Sequence, residues 1–135
     1  MKPDYEYIIE ILNVFIDSDK TNLRINDFDD FRKKDKNKFY FNILILQDKN
    51  ILEGASDPRN IGIEFNGNND SYDTWSVPWR LTADGQDFAK NILKPEIKET
   101  IISKFKSEGF SAIIDITKKL ALKRTEKLLA DVLDD

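Results

Sequence analysis

Ile61-Gly62-Ile63-Glu64-Phe65 leads into Asn66-Gly67-Asn68-Asn69-Asp70-Ser71-Tyr72-Asp73, and then into Thr74-Trp75-Ser76-Val77-Pro78-Trp79-Arg80-Leu81. Ile61, Ile63 and Phe65 alternate with polar or small residues, as do Trp75, Val77, Trp79 and Leu81. Two period-2 runs around a loop rich in Asn, Gly and Asp predict a β-hairpin with one buried face. On that periodicity Trp75 and Trp79 pack under the sheet rather than forming a base-stacking platform with Phe65 and Tyr72. Tyr72, in the loop, is the better exposed contact, and Pro78 points to an edge strand. Leu81 runs straight into Thr82, a good N-cap for a helix over Ala83–Leu93. Gly85 in its first turn permits close approach to a neighbouring element.

Upstream, Ile8, Ile9, Leu12, Phe15 and Ile16 recur at helical spacing, which predicts a first helix over Pro3–Ile16. A short strand is expected at Asn22–Ile25, a second helix at Phe28–Lys33, and a third at Lys38–Lys49 with Asn37 as N-cap. Asn50 suits the left-handed position that ends a helix, and Ile51-Leu52 can enter the sheet. Downstream, Ile97, Ile101, Ile102 and Phe105 mark a helix after Pro95, Glu108-Gly109 breaks it, and a long last helix covers Ser111–Leu133.

The 135 residues match one domain, residues 1–135, with a core over 1–94 and a helical extension over 95–135 packed on it. The chain has neither cysteine nor histidine, which removes the thiolate and imidazole metal ligands and the commonest general base. Calcium-loop, phosphate-loop and serine-elbow patterns are absent, and no carboxylate pair has a recognisable catalytic spacing. No cofactor, metal, small-molecule substrate or enzymatic activity is therefore expected. With no signal-like start and no membrane-length run, the cytoplasm is the default location. Residues 1–50 carry 9 basic and 10 acidic side chains, residues 51–94 carry 4 and 7, and residues 95–135 carry 8 and 8. The acidic segment is the hairpin, whereas a hairpin tracking a DNA backbone should be basic.

The order helix, short strand, helix, helix, hairpin, helix is that of a winged-helix domain, so the expected class is α+β, winged-helix-like, with additional C-terminal helices. Three stretches resemble an uncharacterised bacterial and phage family, domain of unknown function 2513. They are Ile8-Ile9-Glu10-Ile11-Leu12, Ile43-Leu44-Ile45-Leu46-Gln47-Asp48-Lys49-Asn50-Ile51-Leu52, and Arg80-Leu81-Thr82-Ala83-Asp84-Gly85-Gln86-Asp87-Phe88, the last similar to the family's Arg-Leu-Thr-x-x-Gly-x-x-Phe. The chain departs from that pattern at Asn42, where the family often has His, and at Asn50, where it often has Gly. The family has no established activity, so the resemblance implies a fold and no chemistry.

Two surfaces compete for a functional role. Arg32, Lys33, Lys34, Lys36 and Lys38 form the densest basic run, just before the third helix, where a winged helix meets phosphates; Asn42 can pair with adenine. The alternative is a solvated turn. On the third helix Phe39, Ile43 and Leu46 form a core stripe, while Tyr40, Phe41, Leu44 and Ile45 fall largely on the other side. That second stripe is either covered by the C-terminal helices, the favoured reading, or a protein interface, with Tyr72 beside it. Lys119, Lys123 and Lys127 form a solvated stripe on the last helix, opposite Ala121, Leu128 and Val132. The expected function is a non-enzymatic module that binds a protein partner or itself as a homodimer. The alternative is a small transcriptional regulator, bacterial or prophage, that binds duplex DNA; a carboxylate-dependent hydrolase ranks last.

Overall fold

The computed structural model describes residues 1–134; Asp135, the last residue of the expected extension, lies outside them. The chain is α+β, with helices and two small antiparallel sheets. Helix α1 spans Tyr5–Asp17, because the Asp4 carboxylate accepts the Tyr7 amide and caps it. Asp4 is thus the cap rather than a first-turn residue. Ile8, Ile9, Ile11 and Leu12 of α1 are fully buried.

Of the expected strand at Asn22–Ile25, only a single bridge forms, Leu23 to Trp79. Ile25 already opens a 3₁₀ turn over Ile25–Phe28, with the Asp27 carboxylate accepting the Arg24 amide. The second helix, α2, is Asp29–Lys34 and the third, α3, is Lys36–Asp48. The α3 cap is Asp35, whose carboxylate accepts the Lys38 amide, and not Asn37. Asn50 takes the expected left-handed backbone, φ 58°.

The hairpin is where the register departs most from expectation. Strand β1 (Leu52–Gly54) pairs with β4 (Trp79–Leu81), while β2 (Ile63–Asn66) pairs with β3 (Ser71–Thr74). The loop is therefore four residues, 67–70, with Asp70 at φ 51°, and Phe65 faces Tyr72 rather than preceding an eight-residue loop. β4 pairs with β1 in a two-stranded sheet and its other side is met only by the single Leu23 bridge at Trp79, so Pro78 precedes a strand that is an edge beyond that bridge. Trp79 is fully buried, its indole N–H donating to the Ile61 carbonyl at 2.7 Å. Trp75, which the alternation placed in the core, is 42% exposed.

Thr82 caps α4 (Ala83–Ile92) through the Gly85 amide, as the sequence predicts. Its hydroxyl also donates to the Asn50 carbonyl at 2.6 Å. Pro95 opens α5 (Pro95–Thr100), a π turn follows over Ile101–Phe105, and α6 runs Phe110–Leu133. The extension packs on α4 and on the start of α1: Phe110 meets Phe88 and Tyr5, and the Tyr5 hydroxyl donates to the Glu108 carbonyl. No described helix is long and apolar enough to cross a membrane.

Candidate functional site

The aromatic core of the domain fixes α3. Phe28, Phe39 and Trp79 pack together at centroid spacings of 5.6–6.5 Å, and Phe39, Ile43 and Leu46 are fully buried, as the first stripe predicts. The second stripe splits. Tyr40 is buried, so it is removed as a candidate interface residue. Its cover is Tyr72 of the hairpin, 5.2 Å away ring to ring. Phe41, Leu44 and Ile45 stay half-buried, and α6 packs on α4 instead of closing over them.

These three side chains, with Tyr72, Met1, Asn37 and Asp48, line a shallow hollow of about 330 Å³. Leu44, Ile45 and Tyr72 also touch the core, whereas Phe41 stands outside it. The hairpin extends the surface. Ile63, Phe65, Tyr72 and Thr74 share one face, and Phe65 lies edge-on to Tyr72 at 5.3 Å while remaining 53% exposed. On the opposite face Glu64 stands directly across from Asp73. Like charges so placed repel, and the pair leaves that face strongly acidic.

The expected phosphate contacts fare unevenly. Asn42 is 1% exposed and cannot reach a base edge: its side-chain oxygen accepts the Asp4 amide at 3.2 Å and its side-chain amide donates to the Lys38 carbonyl at 2.8 Å. It is a structural tie between the start of α1 and α3, which explains a polar residue on a greasy helix. Lys38 is engaged within the chain, 2.9 Å from the Asp4 carboxylate and 4.7 Å above the Tyr7 ring. Arg32 is half-buried and pairs with Asp29 at 2.9 Å. Lys33, Lys34 and Lys36 are exposed, and none has an ion-pair partner among the described residues.

Partial burial acts to raise the Asp4 carboxyl, but the Lys38 ammonium and the Tyr7 amide outweigh it and hold the group below its ordinary value. Tyr7 moves the other way. Burial first, then the charges of Asp35, Asp4 and Glu10, push its hydroxyl up to about 12. That hydroxyl is buried without a hydrogen-bond partner. Its ring packs edge-on against Phe31 beside a second hollow of about 450 Å³, lined also by Glu10, Asp30, Lys34, Asp35 and Lys38. Among the described residues, no group of three or more acidic side chains is placed to hold a metal ion.

Sequence reasoning missed Met1, which lacks any periodic signal, and the pairing of Phe65 with Tyr72. Centring the turn on the Gly67–Asp70 cluster would have found that pairing. Comparison with protein-family models, curated proteins and solved structures finds no match to this chain.

Proposed function

We propose that this chain is a non-enzymatic, winged-helix-like interaction module that binds a protein partner through the outer face of α3 and the adjoining face of the β2–β3 hairpin. The observation that carries this reading is the hollow at Phe41, Leu44, Ile45 and Tyr72, continued by exposed Phe65. Apolar side chains at the centre with polar Asn37 and Asp48 beside them match the anatomy of a protein interface. They do not match a base-reading helix, which presents amides or guanidinium groups. The element order, the Leu23–Trp79 bridge and the Thr82–Gly85 turn support the winged-helix part of the reading, and with it the resemblance to domain of unknown function 2513.

Duplex DNA is the second reading, favoured by exposed Lys33, Lys34 and Lys36. Against it stand buried Asn42 and the Glu64–Asp73 face. Two titrations separate the readings. Peptides selected by display against the folded protein should lose binding to Phe41→Lys and keep it with Lys33, Lys34 and Lys36 changed to Glu. Anisotropy of a labelled random duplex at low and moderate salt should show no binding. Salt-sensitive duplex binding that the triple Glu variant abolishes would replace this proposal with the regulator.

A further inference from the structure

The last buried residue of α6 is Ala121, yet the helix continues for twelve residues to Leu133, a length of about 18 Å. Leu128 and Val132, which belong to the stripe expected to face the core, are exposed together with Leu122, Leu129 and Leu133. Leu122 is 60% and Val132 68% exposed. At roughly 100° per residue these five side chains and Thr125 occupy one arc of about 140°. Residues 122, 125, 129 and 132 follow the 3–4–3 spacing of a coiled-coil seam.

We infer that this half of α6 pairs antiparallel with α6 of a second copy, making the protein a two-fold dimer. Two observations select that occupant. Turned about a point near Lys127, the seam is self-complementary: Leu122 meets Val132 of the partner subunit, and Thr125 meets Leu129 of the partner subunit. Arg124 lies off the seam and pairs with Glu96 within its own chain. The bare stripe amounts to on the order of 500 Å² per copy, the upper range for a monomer. Pairing that covered the whole stripe would bury at most roughly 1,000 Å² in total, the threshold of a specific interface. A lipid surface is disfavoured, because Lys123, Arg124 and Lys127 are balanced by Glu126, Asp131 and Asp134.

Sedimentation equilibrium of the full chain tests this. A dimer should form in the micromolar range, and Leu129→Glu with Val132→Glu should raise its dissociation constant at least a hundredfold while the circular dichroism of the fold persists. The chain has no cysteine, so introduced thiols are unique. Under mild oxidation Leu128→Cys, beside the two-fold, should crosslink. Leu122→Cys and Val132→Cys, each about 15 Å from its own copy, should not. A monomer at several hundred micromolar, a dimer indifferent to the double substitution, or crosslinking at all three positions, which signals parallel pairing, would overturn the inference.

Discussion

Gly85→Ala sets two well-calibrated effects against each other. Gly85 lies in the first turn of α4 and has no positive φ, so its backbone accepts alanine. Helix propensity alone would make the change stabilising by about 1 kcal/mol. A Cβ at this position, however, runs into the Ile51 carbonyl oxygen and comes within 2.9 Å of the Ile51 carbonyl carbon and 3.1 Å of its Cα. These are backbone atoms, and the Ile51 amide is tied to the Leu46 carbonyl at 2.9 Å, so the neighbour cannot step aside. The helix must withdraw, which loosens two bonds that anchor its cap: the Thr82 amide to the Ile51 carbonyl, 3.0 Å, and the Thr82 hydroxyl to the Asn50 carbonyl. Overpacking of about 1–3 kcal/mol and two hydrogen bonds at about 1 kcal/mol each, less the propensity gain, give a net loss of roughly 2–4 kcal/mol. The melting temperature should fall by roughly 8–16 °C for a domain of this size. Thermal and urea unfolding, followed by tryptophan fluorescence, would measure it. Gly67→Ala is the control, since its Cβ would meet only the Phe65 ring at 3.9 Å. A Gly85→Ala midpoint equal to or above the parent's would refute the close-approach argument.

Asn42→Leu should cost about 1–3 kcal/mol in urea denaturation, because it leaves the Asp4 amide without a partner; an unchanged midpoint would return Asn42 to the pool of replaceable positions. Tyr7 is raised in the folded chain, so the folded state binds its proton more tightly than the unfolded state does. Its contribution is therefore complete below about pH 10 and disappears as the pH rises toward about 12. The stability difference between the parent and Tyr7→Phe should accordingly shift across that interval, and a difference flat from pH 8 to 12 would contradict it. Trp75→Phe should change stability by less than about 0.5 kcal/mol. Trp79→Phe should cost about 1–3 kcal/mol by orphaning the Ile61 carbonyl and opening a void; parity between the two would undo the assignment of the core.

Local chemistry was legible wherever one residue type has one use. Thr82 capping α4, Asn50 in the left-handed region, a close approach at Gly85 and the Phe39–Ile43–Leu46 stripe all follow from single positions or one period. Register was not legible. Strict alternation through Trp75, Val77 and Trp79 fits one long strand, but the chain leaves the first sheet at Gly54, turns through Asn60–Gly62, and re-enters at Trp79. Periodicity records the side of a ribbon and not which ribbon lies next to it. The same limit applies to α3 and α6. An apolar stripe announces that something covers it, yet Tyr40 is covered by a hairpin tyrosine, whereas Leu122, Leu129 and Val132 find no cover among the described residues. Asn42 was misread for a related reason, since an amide on a helix face serves a base edge and a neighbouring backbone equally well.

The sheet around Trp79 joins residues 23, 52–54 and 79–81, whereas the β2–β3 hairpin joins neighbours across a four-residue turn. Their kinetics must differ. The hairpin closes a short loop and can form within microseconds, but two strands alone are marginal in water. The Trp79 junction draws together distant points of the chain and must wait for them. Trp79, one of the chain's two tryptophans, thus belongs to the slow event and the β2–β3 pairing to the fast one.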